Sequence, residues 1–189
     1  MDSKLQIISG AHRGRKLMLP DGARPTQNRA RAAIFNMLAS GILDSNKDVL
    51  AWDAFSGSGA LGIELLSRYD NARVIFSDIS DAAVRVIRRN LGDTAIDMRR
   101  YKIDTNDAQN LIWKYADKVD LVFVDPPYDA PRAGIDFVAA LGARGRADLL
   151  VVQEVEKTVD YTPDSATWEI LRDKTYGRAR FLILRRRCV

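Results

Sequence analysis

Apolar residues recur along this chain in two alternating rhythms. From residue 49 onward, short unbroken apolar runs alternate with longer stretches in which apolar positions return every three or four residues. The runs at 49–52, 73–77, 99–103, 120–124 and 148–153 have the length and composition of buried strands. The stretches at 60–69, 81–91, 108–116 and 133–142 have the period of amphipathic helices. Strand–helix alternation predicts a parallel sheet covered by helices on both faces. The fifth run is nearly all apolar inside, as a strand buried on both sides should be.

The flanks follow other patterns. Segments 5–9 and 16–19 read as short strands around a basic turn, which predicts a β-hairpin with Arg13 and Arg15 at its tip. Pro20, Gly22 and Pro25 then interrupt the pattern. Thr26 suits an N-cap for a helix over 27–39, with Ala30, Ala33, Ile34, Met37 and Leu38 on one face and Arg29 and Arg31 on the others. At the far end, 168–172 and 180–184 read as an antiparallel pair joined around Tyr176 and Gly177. The expected fold is α/β, a mostly parallel seven-stranded sheet with a C-terminal antiparallel strand, preceded by a hairpin and helix. Residues 1–44 form the basic extension and 45–189 the core of one domain.

Composition narrows the function classes. The single cysteine, Cys188, excludes an intrachain disulfide and a multi-cysteine metal site. With one histidine, His12, a zinc centre or a histidine triad is not expected. No run approaches the roughly 20 apolar residues of a membrane span, and the first residues lack the apolar core of a signal peptide. A cytoplasmic, monomeric protein is expected. The net charge of +4 hides an asymmetry: residues 1–31 carry +5, 172–189 carry +6, and the middle carries −7. Basic ends on an acidic core point to a polyanion partner.

Two motifs carry the chemistry. Asp53-Ala-Phe-Ser-Gly57-Ser-Gly59-Ala-Leu-Gly62 lies between a strand and a helix. Such a turn lets a ligand approach the backbone, and the helix start offers free N–H groups. The pattern alone fits NAD as well as S-adenosylmethionine. Asp53 is placed to meet an ammonium group, which favours the sulfonium cofactor. The second motif, Asp125-Pro126-Pro127-Tyr128, follows the fourth core strand. Two prolines end a strand and stiffen the loop. A carboxylate before them and an aromatic ring after them can grip a planar group bearing an amine. Asp78 ends the second strand, where it can accept ribose hydroxyls or cap the next helix. Beyond the third strand, either Asp104 or Asp107 can reach an adenine amine while the other caps the helix. Four acids at four consecutive strand ends make a constellation more specific than either motif.

The chain resembles the RsmD-type bacterial 16S rRNA guanine-N2 methyltransferases. The likeness runs over Ile7-Ile-Ser-Gly10, Gly14-Arg15-Lys16-Leu17, Arg24-Pro25-Thr26, Arg29-x-Arg31-x-Ala33-Ile-Phe-Asn36, the glycine and Pro-Pro motifs, and Tyr176-Gly177. Asp78-Ile79-Ser80 departs from the commoner glutamate after the second strand, and the Thr105-Asn106-Asp107 turn is less typical. The resemblance implies a Rossmann-like methyltransferase fold and S-adenosylmethionine as cofactor. It places Thr26, Asp53, Phe55, Gly57, Ser58, Gly59, Asp78, Ile79, Asn106 and Asp107 at the cofactor. Asp125, Pro126, Pro127 and Tyr128 would be catalytic. Arg13, Arg15, Lys16, Arg24, Arg29, Arg31, Tyr176 and Arg178 would bind nucleic acid. The implied substrate is a guanine N2 of 16S rRNA, with guanine 966 as the family target, within a small-subunit assembly intermediate.

No metal and no covalent intermediate are needed for such a reaction, since a sulfonium methyl is already activated. The rival readings are a DNA amino-methyltransferase and a non-catalytic nucleic-acid-binding protein of the same fold. The first usually needs a target-recognition domain, for which the residues outside the core leave little room. Against the second stand the intact acids and Tyr128.

Overall fold

The structure, a computed structural model, describes residues 5–20, 28–44, 46–127 and 130–188. Helix α1 (Asn28–Ala39) precedes the alternating core: β1 (Val49–Asp53), α2 (Ala60–Arg68), β2 (Ala72–Asp78), α3 (Asp81–Thr94), β3 (Tyr101–Thr105), α4 (Ala108–Tyr115), β4 (Leu121–Val124), α5 (Pro131–Arg144) and β5 (Leu150–Glu156). A hairpin of β6 (Trp168–Tyr176) and β7 (Ala179–Arg186) follows. Each apolar run and each periodic stretch of the core forms the element its rhythm predicts.

The strands form one sheet in the order β3-β2-β1-β4-β5-β7-β6. Pairing is parallel from β3 through β5, and β7 runs antiparallel to both β5 and β6. The chain winds outward from β1 to β3, then restarts at β4 and winds the other way. The reversal lies between β1 and β4, where loops leaving the carboxyl ends diverge and open a crevice.

Some boundaries differ from the sequence pattern for a physical reason. The strand expected at 99–103 begins at Tyr101, because Asp97 accepts the N–H of Arg99 at 2.9 Å and winds Met98–Arg100 into a 3-10 turn. β6 and β7 outrun their apolar runs because β6 is an edge strand, where charged residues face water. Asp173 there pairs with Arg180 of β7 at 2.8 Å. The hairpin also folds β7, not β6, against β5.

Apolar side chains cover both faces of the sheet. On one face Ile34, Phe35 and Leu38 of α1 join Leu61 and Leu65 of α2 and Ile87 of α3 over Phe123, Val152 and Ile183. On the other, Leu111 and Ile112 of α4 and Phe137 and Leu141 of α5 pack on Trp52, Val122 and Val151. Trp52 is fully buried, and its indole N–H donates to Ser77 Oγ at 2.8 Å. The rings of Tyr115 and Phe137 meet it edge-on, at 5.5 and 5.2 Å. Truncating such an aromatic costs about 3–5 kcal/mol.

The N-terminal segment belongs to the first of these cores, through buried Leu5, Ile7 and Leu17. It forms a hairpin with one antiparallel bridge, Gln6 to Lys16, rather than two strands. Buried polar side chains of the core hold it down. Glu64 of α2 accepts the N–H groups of Ile8 and Ser9 at 2.8 and 3.0 Å. The Ser67 hydroxyl accepts from the N–H of His12 at 3.0 Å and donates to the Ser9 carbonyl at 2.7 Å. Asn90 of α3 accepts from the Met18 N–H at 2.8 Å and donates to the Met18 and Ser58 carbonyls at 3.0 and 2.8 Å. One amide thereby joins the end of the basic hairpin to the glycine turn.

Arg31 corrects the sequence reading, which sets it on an outer face of α1 beside Arg29, open to nucleic acid. Its side chain is instead wholly buried, 3.8 Å from Glu64, with Nη2 donating to the Gln6 carbonyl and to Asn28 Oδ1. Burial lowers its pKa to about 10, with Glu64 opposing the shift. A charged side chain points inward here because a buried carboxylate and a backbone carbonyl await it.

Candidate active site

Asp53 is the last residue of β1 and is almost fully buried. Its Oδ2 accepts the N–H of Gly62, in the first turn of α2, at 3.0 Å. The segment between them is stitched to the neighbouring strand. Ser56 Oγ donates to the Asp53 carbonyl at 2.6 Å and accepts the Ser77 N–H at 3.0 Å. The Ser56 N–H donates to the Ser77 carbonyl at 3.0 Å. Gly57 follows with φ +53°, a left-handed conformation that disfavours side chains. A Cβ added there would meet nothing within 4 Å and would project into open space.

Asp78, the last residue of β2, faces the same turn. Its Oδ2 accepts the Gly57 N–H at 2.9 Å and its Oδ1 accepts the Ser80 N–H at 2.9 Å. The helix is capped by Ser80, whose Oγ accepts the Ala83 N–H, so Asp78 is not its N-cap. Each Asp78 oxygen keeps a further lone pair in a fixed orientation.

At the next strand end the two acids divide differently from expectation. Asp104 is engaged by the Lys114 ammonium at 2.6 Å and the Tyr115 hydroxyl at 2.7 Å, which hold its carboxyl below the usual range against the effect of burial. Asp107 caps α4, its Oδ1 accepting the Gln109 N–H at 2.9 Å, and also borders the cavity. The cap and the cavity position therefore fall on one residue, Asp107, while Asp104 is held by Lys114 and Tyr115.

Asp53, Asp78, Asp107 and the glycine turn open on one cavity of about 1000 Å3, which Asp104 does not line. Of the sequence-predicted residues, Asp53, Phe55, Gly57, Ser58, Asp78, Ile79, Asp107, Asp125, Pro126, Pro127, Tyr176 and Arg178 line it. Gly59 does not; it heads α2 behind the wall, against Ile63, Phe76 and Ile87. Nor does Asn106, which is exposed and accepts the Asp107 N–H at 2.8 Å. Thr26, Arg24 and Tyr128 lie outside the described residues. Arg13, Arg15, Lys16 and Arg29 are exposed, and Arg15 donates to the Asp93 carbonyl at 2.7 Å.

The structure adds Glu154 and Glu156 to the wall. Both lie on β5 beyond the apolar run, at alternate positions, so they share a face. That spacing was the signal available in the sequence, in Gln153-Glu-Val-Glu156. The cavity thus has two ends. Gly57, Asp78, Ile79 and Asp107 bound one; Glu154, Glu156, Tyr176 and Arg178 bound the other. Asp125-Pro126-Pro127 follows β4, the strand between β1 and β5, and so stands between the two ends.

Electrostatics concentrates at Asp53. Burial raises its carboxyl pKa to about 7; the Gly62 hydrogen bond opposes this, and the charges of Asp125 and Asp78 add to it. A cation brought to this site relieves all three carboxylates. Among the described residues no group of three His, Cys, Asp or Glu is arranged to hold a metal ion.

Comparison with known proteins agrees with this geometry. A family model described as "Conserved hypothetical protein 95" matches residues 5–185. Ribosomal RNA small subunit methyltransferase D of Escherichia coli K12 is 32% identical, over 97% of this chain and 90% of its own. The protein of the same name from Haemophilus influenzae is 29% identical over 92% of this chain and 90% of its own. The solved structure of the Escherichia coli protein yhhF superposes with a TM-score of 0.78 at 31% identity, covering 96% of this chain and 97% of that one. An rRNA methylase of Streptococcus thermophilus, 12% identical, covers 88% of this chain and all of its own with a TM-score of 0.62, a likeness of fold alone. The sheet is the Rossmann-like one of methyltransferases.

Proposed function

Because the chain belongs to the RsmD family of ribosomal RNA small subunit methyltransferases, we propose that it methylates the exocyclic N2 of a guanine in 16S rRNA, using S-adenosylmethionine. The proposed target is the counterpart of guanine 966, met within a small-subunit assembly intermediate by a cytoplasmic monomer. The observation that carries this reading is that the glycine turn and Asp125-Pro126-Pro127 open on one cavity at the strand-order reversal.

The residues present fit the cofactor. Gly57 leaves its side-chain position open to the cavity, which admits a ligand against the backbone. Asp78 offers fixed acceptors to the hydroxyls of a ribose, Ile79 an exposed apolar surface, and Asp107 an acceptor for an adenine amine. Asp53 offers negative charge to an ammonium. The cofactor supplies an activated methyl on a sulfonium, so the protein's part is alignment and electrostatics.

At the other reactant the lone pair of a guanine amine is delocalised into the ring. Hydrogen bonds from that amine to Asp125 and to the Pro126 carbonyl favour a pyramidal nitrogen. The two prolines keep these acceptors in place, and Pro126 is packed under Gly134 of α5, where a Cβ would stand 2.7 Å from its Cγ. Tyr128 is assigned to stacking on a base splayed from its helix. The exposed Arg13, Arg15, Lys16 and Arg29 supply charge for the RNA backbone.

Mass spectrometry of rRNA nucleosides from cells lacking the gene tests the proposal. Loss of one N2-methylguanosine from 16S rRNA, restored by the purified protein and S-adenosylmethionine, is the expected result. Intact rRNA modification, with methyl transfer to DNA or to no nucleic acid, would overturn it.

A further inference from the structure

Glu154, which lines the cavity one strand beyond Asp125, has no part in the scheme above. β4 and β5 pair in parallel with Phe123 beside Val152 and Val124 beside Gln153. Continuing that register sets Asp125 beside Glu154. Phe123 and Val152 lie in the same core cluster, so residues two further along share their face, and both acids line the cavity. Adjacent strands lie about 4.8 Å apart. A carboxylate just past the end of β4 and one on β5 therefore present acceptors across the width of a nucleobase edge. Glu154 is only 8% exposed, which removes most competition from water.

Base chemistry then restricts what fits. The amines of adenine and cytosine are flanked by a ring nitrogen that accepts hydrogen bonds. The amine of guanine has N1–H, a donor, on one side and N3, an acceptor, on the other. Asp125 and the Pro126 carbonyl can grip any of these amines, whereas a second carboxylate beside them finds a further ring donor only in guanine. Resting on the guanine-N2 reading above, we propose that Glu154 is the specificity-determining residue: it accepts the N1–H of guanine, while Asp125 and the Pro126 carbonyl accept the two amine hydrogens. Facing adenine or cytosine, the same carboxylate meets a ring lone pair and repels it. Glu154 thereby sets the base, and Asp125 the aim of the amine.

The test uses small-subunit rRNA in which the target guanine, first located by mass mapping of the wild-type product, is replaced by 2-aminopurine. That base keeps the amine and carries an acceptor in place of N1–H. Wild-type protein should prefer guanine by about 100-fold or more in kcat/KM, since a site built around a donor rejects analogues lacking it. Glu154→Gln, whose amide donates to the ring acceptor, should lose guanine methylation and erase or invert the preference. Glu154→Asp, still an acceptor, should keep the order of preference at lower kcat/KM. Calorimetric affinity for S-adenosylmethionine should stay unchanged in both, which also reports folding. N2-methylguanosine formed by wild type with no discrimination against 2-aminopurine, or an unaltered preference in folded Glu154→Gln, overturns this inference alone. A wild-type product other than N2-methylguanosine overturns the guanine-N2 reading and this inference with it.

Discussion

Asp53 accepts its hydrogen bond from Gly62 across the whole glycine turn, at 3.0 Å. The bond requires α2 to lie close on β2. A Cβ on Gly62 would stand 2.4 Å from Phe76 Cε1 and 2.8 Å from its Cζ, so glycine alone lets helix and strand meet. The same approach buries Asp53 and raises its pKa to about 7.

A pH dependence follows with a definite sign. The folded pKa of about 7 exceeds the ordinary value of 3.8, so the folded protein holds this proton more tightly. Its contribution to stability is full below pH 3.8 and is lost as pH rises through about 7. Asp53→Asn, which can still accept from Gly62, should melt higher than wild type at pH 8 and match it near pH 4. The gain is bounded by roughly 4 kcal/mol, at 1.36 kcal/mol for each pKa unit. Cofactor binding should show the reverse cost. Wild-type affinity for S-adenosylmethionine should increase from pH 6 to 8 as Asp53 ionises, and Asp53→Asn should bind weakly without that slope. Paired melts and calorimetry at each pH check both arms.

Arg31 makes a separate prediction about stability. Its guanidinium and the Glu64 carboxylate are both fully buried, and Glu64 also holds Ile8, Ser9 and the Arg68 side chain. Arg68 still holds the Glu64 carboxylate when Arg31 is removed, so the cost is chiefly that of emptying a large buried site, about 2–5 kcal/mol. Arg31→Ala should lose about that much in chemical denaturation. Once folded at low denaturant, it should bind RNA with an unaltered salt dependence, unlike neutralisation of an exposed arginine.

The contrast between Arg31 and Arg29 shows where sequence legibility ends. Alternation of apolar runs and helical periods was enough to identify the strands from β1 to β5, because burial on both faces is written locally in each run. The acids at strand ends were legible for the same reason: a topology implied by the alternation puts them on one edge. Arg31 was not, since its burial depends on Glu64 in another helix and on the Gln6 carbonyl. Nor was the insertion of β7 between β5 and β6, which long-range pairing decides. Glu154 escaped the sequence pattern because the apolar run stops before it, although its strand continues to Glu156.

The basic turn should act on RNA alone. Arg13, Arg15 and Lys16 are exposed on a hairpin that Glu64, Ser67 and Asn90 anchor to the core through its backbone. Replacing the three by glutamine leaves those anchors in place. Binding to rRNA should weaken, and the slope of log affinity against log salt should fall by about 0.7–0.9 for each phosphate no longer neutralised. Affinity for S-adenosylmethionine should not change. An unaltered salt slope in the triple variant would mean that these charges only solvate the surface.

Asp125 is placed to separate binding from chemistry. The carboxylate lines the cavity after β4, on the side of the glycine turn nearer Glu154, and its charge raises the Asp53 pKa through space. Asp125→Ala should therefore keep cofactor binding, with the rise of affinity moved to lower pH because Asp53 ionises earlier. Methyl transfer should fall by roughly a hundredfold or more in kcat at saturating RNA, the scale expected when a reacting group is no longer aimed. Asp125→Asn keeps one carbonyl acceptor for the amine and should retain more turnover than the alanine variant. Single-turnover transfer measured beside calorimetry distinguishes lost aim from lost binding. Near wild-type turnover in Asp125→Ala would show that the Pro126-Pro127 loop is not the grip on the target amine.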